Sequence, residues 1–265
     1  VDGSSRFGKG NKFGFFPSVG VGWVINKESF LQDYNWMDIF KLRASYGQLG
    51  NENIGLYRYQ SVINSKTGVE SVFGNANITW ETVTMLNSGF DLALFNGFAE
   101  ITFDWYDKLT TDIIISPPVP LSAGIKSSPI NAGEVRNRGW EFSVNLGKQK
   151  KDFNYNVHLG LSFNKNKIER LINGPYDNNT SINKEGYAIN SYYRYKTAGL
   201  LQESDFIGQD DNGSWIPREG VVIFDGQAPG DIKYLDTSMD GALSVDDRTI
   251  QGKRFPSYNY FSNIS

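Results

Sequence analysis

The densest run of oxygen donors in the chain is Asp236-Thr237-Ser238-Met239-Asp240-Gly241-Ala242-Leu243-Ser244-Val245-Asp246-Asp247. Its spacing is that of a calcium loop. Asp236, Ser238 and Asp240 stand at the alternate ligand positions, and Gly241 follows where the chain must turn sharply. Ala242 offers a backbone carbonyl, and Asp247 closes the twelve-residue frame. Hard oxygen donors of this kind suit Ca²⁺ or Mg²⁺. Two departures weaken the site: Ser238 replaces a carboxylate or amide, and Asp247 is shorter than the Glu that reaches a cation with both oxygens. The flanking residues look extended rather than helical. The same residues also describe an Asp/Gly-rich turn closed by side-chain-to-backbone hydrogen bonds.

Four rings in the same region, Tyr192, Tyr193, Tyr195 and Trp215, could stack on a sugar, although ordinary loop packing uses the same residues. The single histidine, His158, lies on the polar side of an alternating segment and reads as a solvated side chain. Lys148, Lys150 and Lys151 make a basic turn, which reads as a solvated hairpin end or as a weak attraction to anionic lipid. The chain shows no phosphate loop, nucleophile elbow or paired-acid signature, so an enzyme is not expected. With no cysteine, thiolate metal sites and cysteine nucleophiles are excluded. Twenty-six basic against 29 acidic residues leave no broad basic face for nucleic acid.

The elements that must position these residues are strands. Phe153, Tyr155, Val157, Leu159, Leu161 and Phe163 are apolar, and every residue between them is polar or Gly. Trp140, Phe142, Val144 and Leu146 alternate in the same way. So do Phe40 to Tyr46, Ala99 to Trp105 and, with Val24 as the exception, Val19 to Ile25. Asn96-Gly97 favours a two-residue type I′ hairpin turn. That turn would pair Phe95 with Phe98, Leu94 with Ala99, Leu92 with Ile101 and Phe90 with Phe103, and place Asp91 opposite Thr102.

Seven long strands are expected, at about 13–26, 38–47, 80–95, 98–115, 134–147, 153–172 and 255–265. Shorter strands are expected at 57–63, 189–200 and 221–235. The connections alternate: short at about 27–36, 96–97 and 147–152, long at about 48–79, 116–132 and 173–254. No apolar run exceeds four residues, far below the roughly 20 that a membrane helix needs. A barrel strand needs only about 10 residues, alternately apolar and polar. Sorted turns and loops with one apolar face predict an all-β, antiparallel transmembrane β-barrel segment, partial and unclosed, with short periplasmic turns and long extracellular loops. Trp36, Trp80, Trp105, Tyr46, Tyr57 and Tyr106, near strand ends, are expected in interfacial girdles.

An ordered series of phrases carries a resemblance. FGFFPSVGVGWVINKESF (13–30), FKLRASYGQLGN (40–51), WETVTMLNSGFDLALFNG (80–97) and DWYDKLTTDII (104–114) come first. GEVRNRGWEFSVN (133–145), EGYAINSYYRYKTAGLLQ (185–202) and PGDIKYLDTSMDGALSVDDRTIQGKRFPSYNY (229–260) follow. Together they resemble SusC/RagA-type TonB-dependent outer-membrane transporters over nearly the whole chain. The resemblance implies a 22-stranded barrel filled by a plug and lidded by a SusD-like surface lipoprotein. It also implies energy from TonB–ExbB–ExbD and import of oligosaccharides or peptides across the outer membrane. On that reading residues 1–265 are a quarter of one barrel protein, without plug or final strands, and 173–254 is a long extracellular loop region. A passive porin shares the strand pattern, and a soluble extracellular calcium-binding β module is the third class.

Overall fold

The computed structural model describes residues 1–265 apart from 32, 64, 65, 67, 69, 73, 117–128, 150–152 and 173. Two compact units emerge: Val1–Gly174 with Pro256–Ser265, and Pro175–Phe255. The first is built on a seven-stranded antiparallel sheet. Its strands are β1 (Ser18–Val24), β2 (Met37–Asn51), β3 (Glu81–Leu94), β4 (Ala99–Thr111), β5 (Gly133–Gln149), β6 (Asn154–Leu171) and β7 (Tyr258–Ile264). They pair strictly in chain order, and β1 and β7 are the unpaired edges. The sheet is an open wall, as the alternation of short and long connections requires.

The register turns the period-2 pattern into rows that cross the wall. Trp23, Leu42, Phe90, Phe103, Phe142, Leu161 and Tyr260 lie side by side, one from each strand. Their apolar side chains are not covered: Phe142 is 37% exposed and Leu161 40%. Trp140, Phe142, Val144 and Leu146 thus share a face that no second layer of the described residues buries. On the opposite face the neighbouring row reads Gly22, Arg43, Gly89, Asp104, Glu141, Ser162 and Asn259. A face this apolar, uncovered and opposed to a charged one is what separates lipid from water.

The hairpin between β3 and β4 keeps the expected register from Leu94–Ala99 to Phe90–Phe103, with Asp91 opposite Thr102. Its turn differs. Phe95 joins Asn96 and Gly97 at positive φ, so the strands stop at Leu94 and Ala99 and the Phe95–Phe98 pair does not form. The physical reason lies in the adjacent turns. The Phe95 N–H donates to the Trp36 carbonyl at 2.8 Å, and the Phe98 carbonyl accepts from Gly147 N–H at 3.0 Å.

Other boundaries moved for local reasons. The segment at 98–115 breaks at Asp112, whose φ of 55° ends β4, and Ile114–Ile115 pairs separately with Ile130–Asn131. Phe13–Gly14 leaves the wall to pair with Asp2–Gly3. Of the shorter strands, 189–200 is present as Ser191–Tyr195 and Thr197–Leu200. The other two shrink to Val62–Ile63 and Ile232–Tyr234. The loop residues of this unit hold a small core of their own: Phe7, Ile54, Ile78 and Trp80, with Phe16, Tyr59 and Ile114 against it.

One close approach fixes the β6–β7 edge. Phe261 is the one ring of β7 on the polar face, and it lies over Gly160, where a Cβ would meet its ring at 1.9 Å. Gly160→Ala is expected to push Phe261 aside and cost about 1–3 kcal/mol, the usual range for overpacking. Urea unfolding of the full-length protein measures it. Combining it with Phe261→Ala should recover much of the loss, and additivity of the two would show that the contact is not responsible.

Candidate functional site

The polar face carries the wall's strongest electrostatic feature. Arg43 on β2 reaches Asp91 on β3, Nε to Oδ2 at 3.1 Å, and Asp104 on β4 through Nη1 and Nη2. One guanidinium thus ties three strands with a fork of charge-assisted bonds. A small residue makes this possible: Gly89 stands between Arg43 and Asp104 on their row, and a Cβ there would meet the Phe103 carbonyl at 2.2 Å. Further along the face, Asn137 Oδ1 accepts from Asn166 Nδ2 at 2.9 Å and from Asn164 Nδ2 at 3.3 Å. Tyr106 donates to Asn164 at 3.3 Å. His158 lies on this face as expected, edge-on to Phe261 at 4.8 Å.

The aromatic residues expected in girdles divide. Trp105 and Tyr46 point to the apolar side. Tyr106 points to the polar side, because it follows Trp105 by one residue and the strand period is two. Trp80 is 7% exposed in the loop core, its indole N–H donating to the Asn11 carbonyl at 3.1 Å, so it is no girdle residue. Tyr57 is exposed in a loop at positive φ. A true aromatic row crosses the wall one step above the central row: Trp105, Trp140, Phe163 and Tyr258. Trp140 and Phe163 stack at 6.3 Å. At the short-turn end, Trp36 stacks on Phe95 at 6.1 Å and Phe153 lies beside Tyr155 at 5.9 Å.

The two aromatic levels measure the wall. Phe163 is ten residues beyond Phe153, which immediately precedes β6, about 33 Å at the usual rise per residue. With a barrel tilt of about 40° this gives about 25 Å along the membrane normal, the height of an outer-membrane apolar band.

The second unit, Pro175–Phe255, has a four-stranded sheet of Tyr176–Asp177, Ser181–Asn183, Ser191–Tyr195 and Arg248–Gly252. Two small hairpins accompany it, Thr197–Leu200 with Ile232–Tyr234 and Phe206–Gln209 with Trp215–Pro217. No ring-on-ring pair joins the four stacking candidates among the described residues. Arg194 lies over the Tyr192 ring at 4.7 Å and Arg248 over Tyr193 at 4.8 Å. Tyr195 packs with Phe224 and Tyr234, and Trp215 packs on Phe206.

In the donor loop, the Asp236 carboxylate accepts from Met239 N–H at 2.6 Å and Gly241 N–H at 2.8 Å, and from the Ser238 hydroxyl at 3.2 Å. Asp240 accepts from Ala242 N–H at 2.9 Å. Asp247 is fully buried, and it accepts from the N–H groups of Thr237, Ser238 and Ser244 at 2.7–3.0 Å. Ser244 and Asp247 form a reciprocal cap over the short 3₁₀ turn Val245–Asp247. No three His, Asp or Glu side chains gather as a metal-holding group among the described residues. The loop is closed by its own hydrogen bonds.

The family model for the TonB dependent receptor-like β-barrel matches residues 1–265. The chain belongs to the TonB-dependent receptor β-barrel family. TonB-dependent receptor P3 of Formosa agariphila is 35% identical, with 97% of this chain and 27% of that protein covered. TonB-dependent receptor SusC of Bacteroides thetaiotaomicron is 32% identical over 80% of this chain and 25% of its own length. A solved structure of the RagAB peptide transporter superposes with a TM-score of 0.77 at 28% identity, covering 99% of this chain and 28% of the other. The chain spans about a quarter of the curated relatives it matches. The all-β, unclosed wall is accordingly a sector of a TonB-dependent receptor barrel.

Sequence reasoning did not single out the Arg43–Asp91–Asp104 fork. The hairpin turn placed β3 against β4, but the long 52–80 connection left the register of β2 open.

The N–H groups of Ser238 and Ser244 hold the Asp247 carboxyl below its ordinary 3.8, at about 2. A depressed acid stabilises above its unfolded value, and that contribution is lost as pH falls through the folded one. The 236–247 corner is expected to be intact at pH 5 and to open between about 3.8 and about 2. A fall in the protection factors of the Thr237, Ser238 and Ser244 amides, measured against their intrinsic exchange rates at each pH, checks it. Exchange unchanged in Asp247→Ala would contradict it.

Proposed function

We propose that this chain forms part of the wall of a TonB-dependent importer in the outer membrane of a Gram-negative bacterium. The observation that carries the proposal is the continuous apolar row across seven strands, backed by a charged row one residue away. The wall separates lipid from a wet interior in which a plug domain sits. TonB–ExbB–ExbD supplies the energy by pulling that plug. A SusD-like surface lipoprotein works with the barrel at the long-loop end and delivers an oligosaccharide, a peptide or another nutrient. Catalysis has no part in this reading. The likeness to SusC and to the RagAB peptide transporter supports it.

Within the barrel, the polar face positions charged and amide groups toward the interior. The Arg43 fork ties β2, β3 and β4 and pairs both carboxylates with one guanidinium, which leaves one net negative charge on the wet side and no isolated one. The exposed ring of Tyr192 and the half-buried rings of Tyr193, Tyr195 and Trp215 are offered to ligand in the inserted unit.

A second reading concerns the donor loop alone. The Gly241 N–H bond to Asp236 and the ligand spacing favour Ca²⁺ held by Asp236, Ser238, Asp240, Ala242 and Asp247. A rise in melting temperature at millimolar calcium supports that reading, and an unchanged temperature leaves the hydrogen-bonded corner.

Two measurements on the full-length protein test the main proposal. Val144→Arg, near mid-height of the apolar face, is expected to destabilise the folded barrel by about 2–4 kcal/mol. Asn145→Lys, on the polar face, should leave it folded. Equal effects would refute the assignment of faces. Nutrient uptake should stop when TonB is deleted, whereas uptake that continues would identify a passive porin.

A further inference from the structure

The apolar side of the wall changes character abruptly above its aromatic row. One step beyond Trp105, Trp140 and Phe163 the same side carries Asp107, Arg138 and Lys165, paired in register across β4, β5 and β6. The next step carries Arg136 opposite Lys167. Here β6 bulges between its pairings with Glu134 and Val135, and the bulged residue is Glu169. Four cations and two acids therefore share one patch on the outward side.

The acids do not satisfy the cations. Asp107 binds Arg138 at 2.8 Å and lies 3.7 Å from Arg136. Glu169 binds Lys167 at 2.7 Å and lies 3.7 Å from Arg136. Arg136 Nε is buried without a hydrogen-bond acceptor. Lys165 is exposed, with no carboxylate within ion-pair distance among the described residues. A buried donor left unpaired is costly unless something supplies an acceptor.

We propose that this patch binds the phosphorylated headgroup of a glycolipid in the leaflet at the long-loop end, with the acyl chains lying on Trp140 and Phe163. The inference rests on the membrane-barrel reading above and deepens it. Three features select this occupant. The excess charge is positive. An anion centred between Arg136, Arg138 and Lys165 adds acceptors for their solvent-facing N–H groups, which two acids share among four cations. The patch also starts where the apolar band of about 25 Å ends, which is the depth of headgroup phosphates. Soluble anions would meet the same cations, but they would gain nothing from the aromatic row beneath.

The test uses the full-length receptor in phosphatidylcholine mixed micelles, titrated with diphosphorylated lipid A and read by native mass spectrometry. Bound lipid A is expected for the parent protein. Affinity should fall about fivefold in Lys165→Gln, and further in Arg138→Gln/Lys165→Gln. Lys108→Gln removes the same charge at similar height from the polar face and should bind as the parent does. Lipid A stripped of phosphate should bind no better than phosphatidylcholine. Equal binding of the stripped lipid, or an equal loss in Lys108→Gln, would overturn the proposal. Full displacement by 10 mM inorganic phosphate would replace it with a small-anion site. A protein that folds without detergent or lipid would instead overturn the membrane reading itself.

Discussion

In hydrocarbon a backbone N–H or C=O has no partner but another strand. Everything in this wall follows from that constraint. Because each strand must be paired along its length, its register is locked. Because the side-chain period is two, a locked register assigns every residue to one of two solvents. The unbroken file from Trp23 to Tyr260 and the adjacent file through Arg43 and Asp104 are two sides of one ladder of hydrogen bonds. Side-chain chemistry decorates that ladder and does not hold it up.

The decoration is nevertheless graded. Below the aromatic row the outward residues are Phe, Leu, Ile and Val, whose burial in lipid is favourable. Then come Trp105, Trp140 and Tyr258, whose rings tolerate both phases. Then come Arg and Lys. On the inward side the Arg43 fork concentrates ionic bonding where three strands meet, and Gly89 and Gly160 remove side chains where a carboxylate pair or a Phe ring needs the room. The same alternating rule thus yields a lipid surface, a headgroup surface and an interior.

Much of the wall was readable from residues alone, and the reason is physical. Period-2 runs such as 153–164 and the Asn96-Gly97 turn are local signals, and local signals fix β3 against β4 down to the opposition of Asp91 and Thr102. What escaped depends on distant partners. The turn at Phe95 is shaped by the Trp36 carbonyl and Asp38 of the preceding turn. Trp80 is drawn into a core by Phe7 and Ile78, which lie in loops with no period to read. The Asp236–Asp247 loop was ambiguous for a related cause: the same oxygens can accept N–H groups or hold a cation, and composition does not distinguish the two. The N–H partners of Asp247 became visible only with the backbone placed.

The bulges carry a consequence for how such a chain changes over time. The two in the wall lie at Met37/Ile39 and near Glu169, at strand ends where the wall meets its rims. An extra residue there shifts only a short stub. The same single insertion in the middle of β5 would rotate Trp140 or Phe142 inward and bring Glu141 into the acyl chains. Length variation in this receptor is therefore expected to be quantised, with paired steps inside strands and free lengths only in loops. Lineages can rewrite 175–255 at will while the number of residues between Phe153 and Phe163 stays constant.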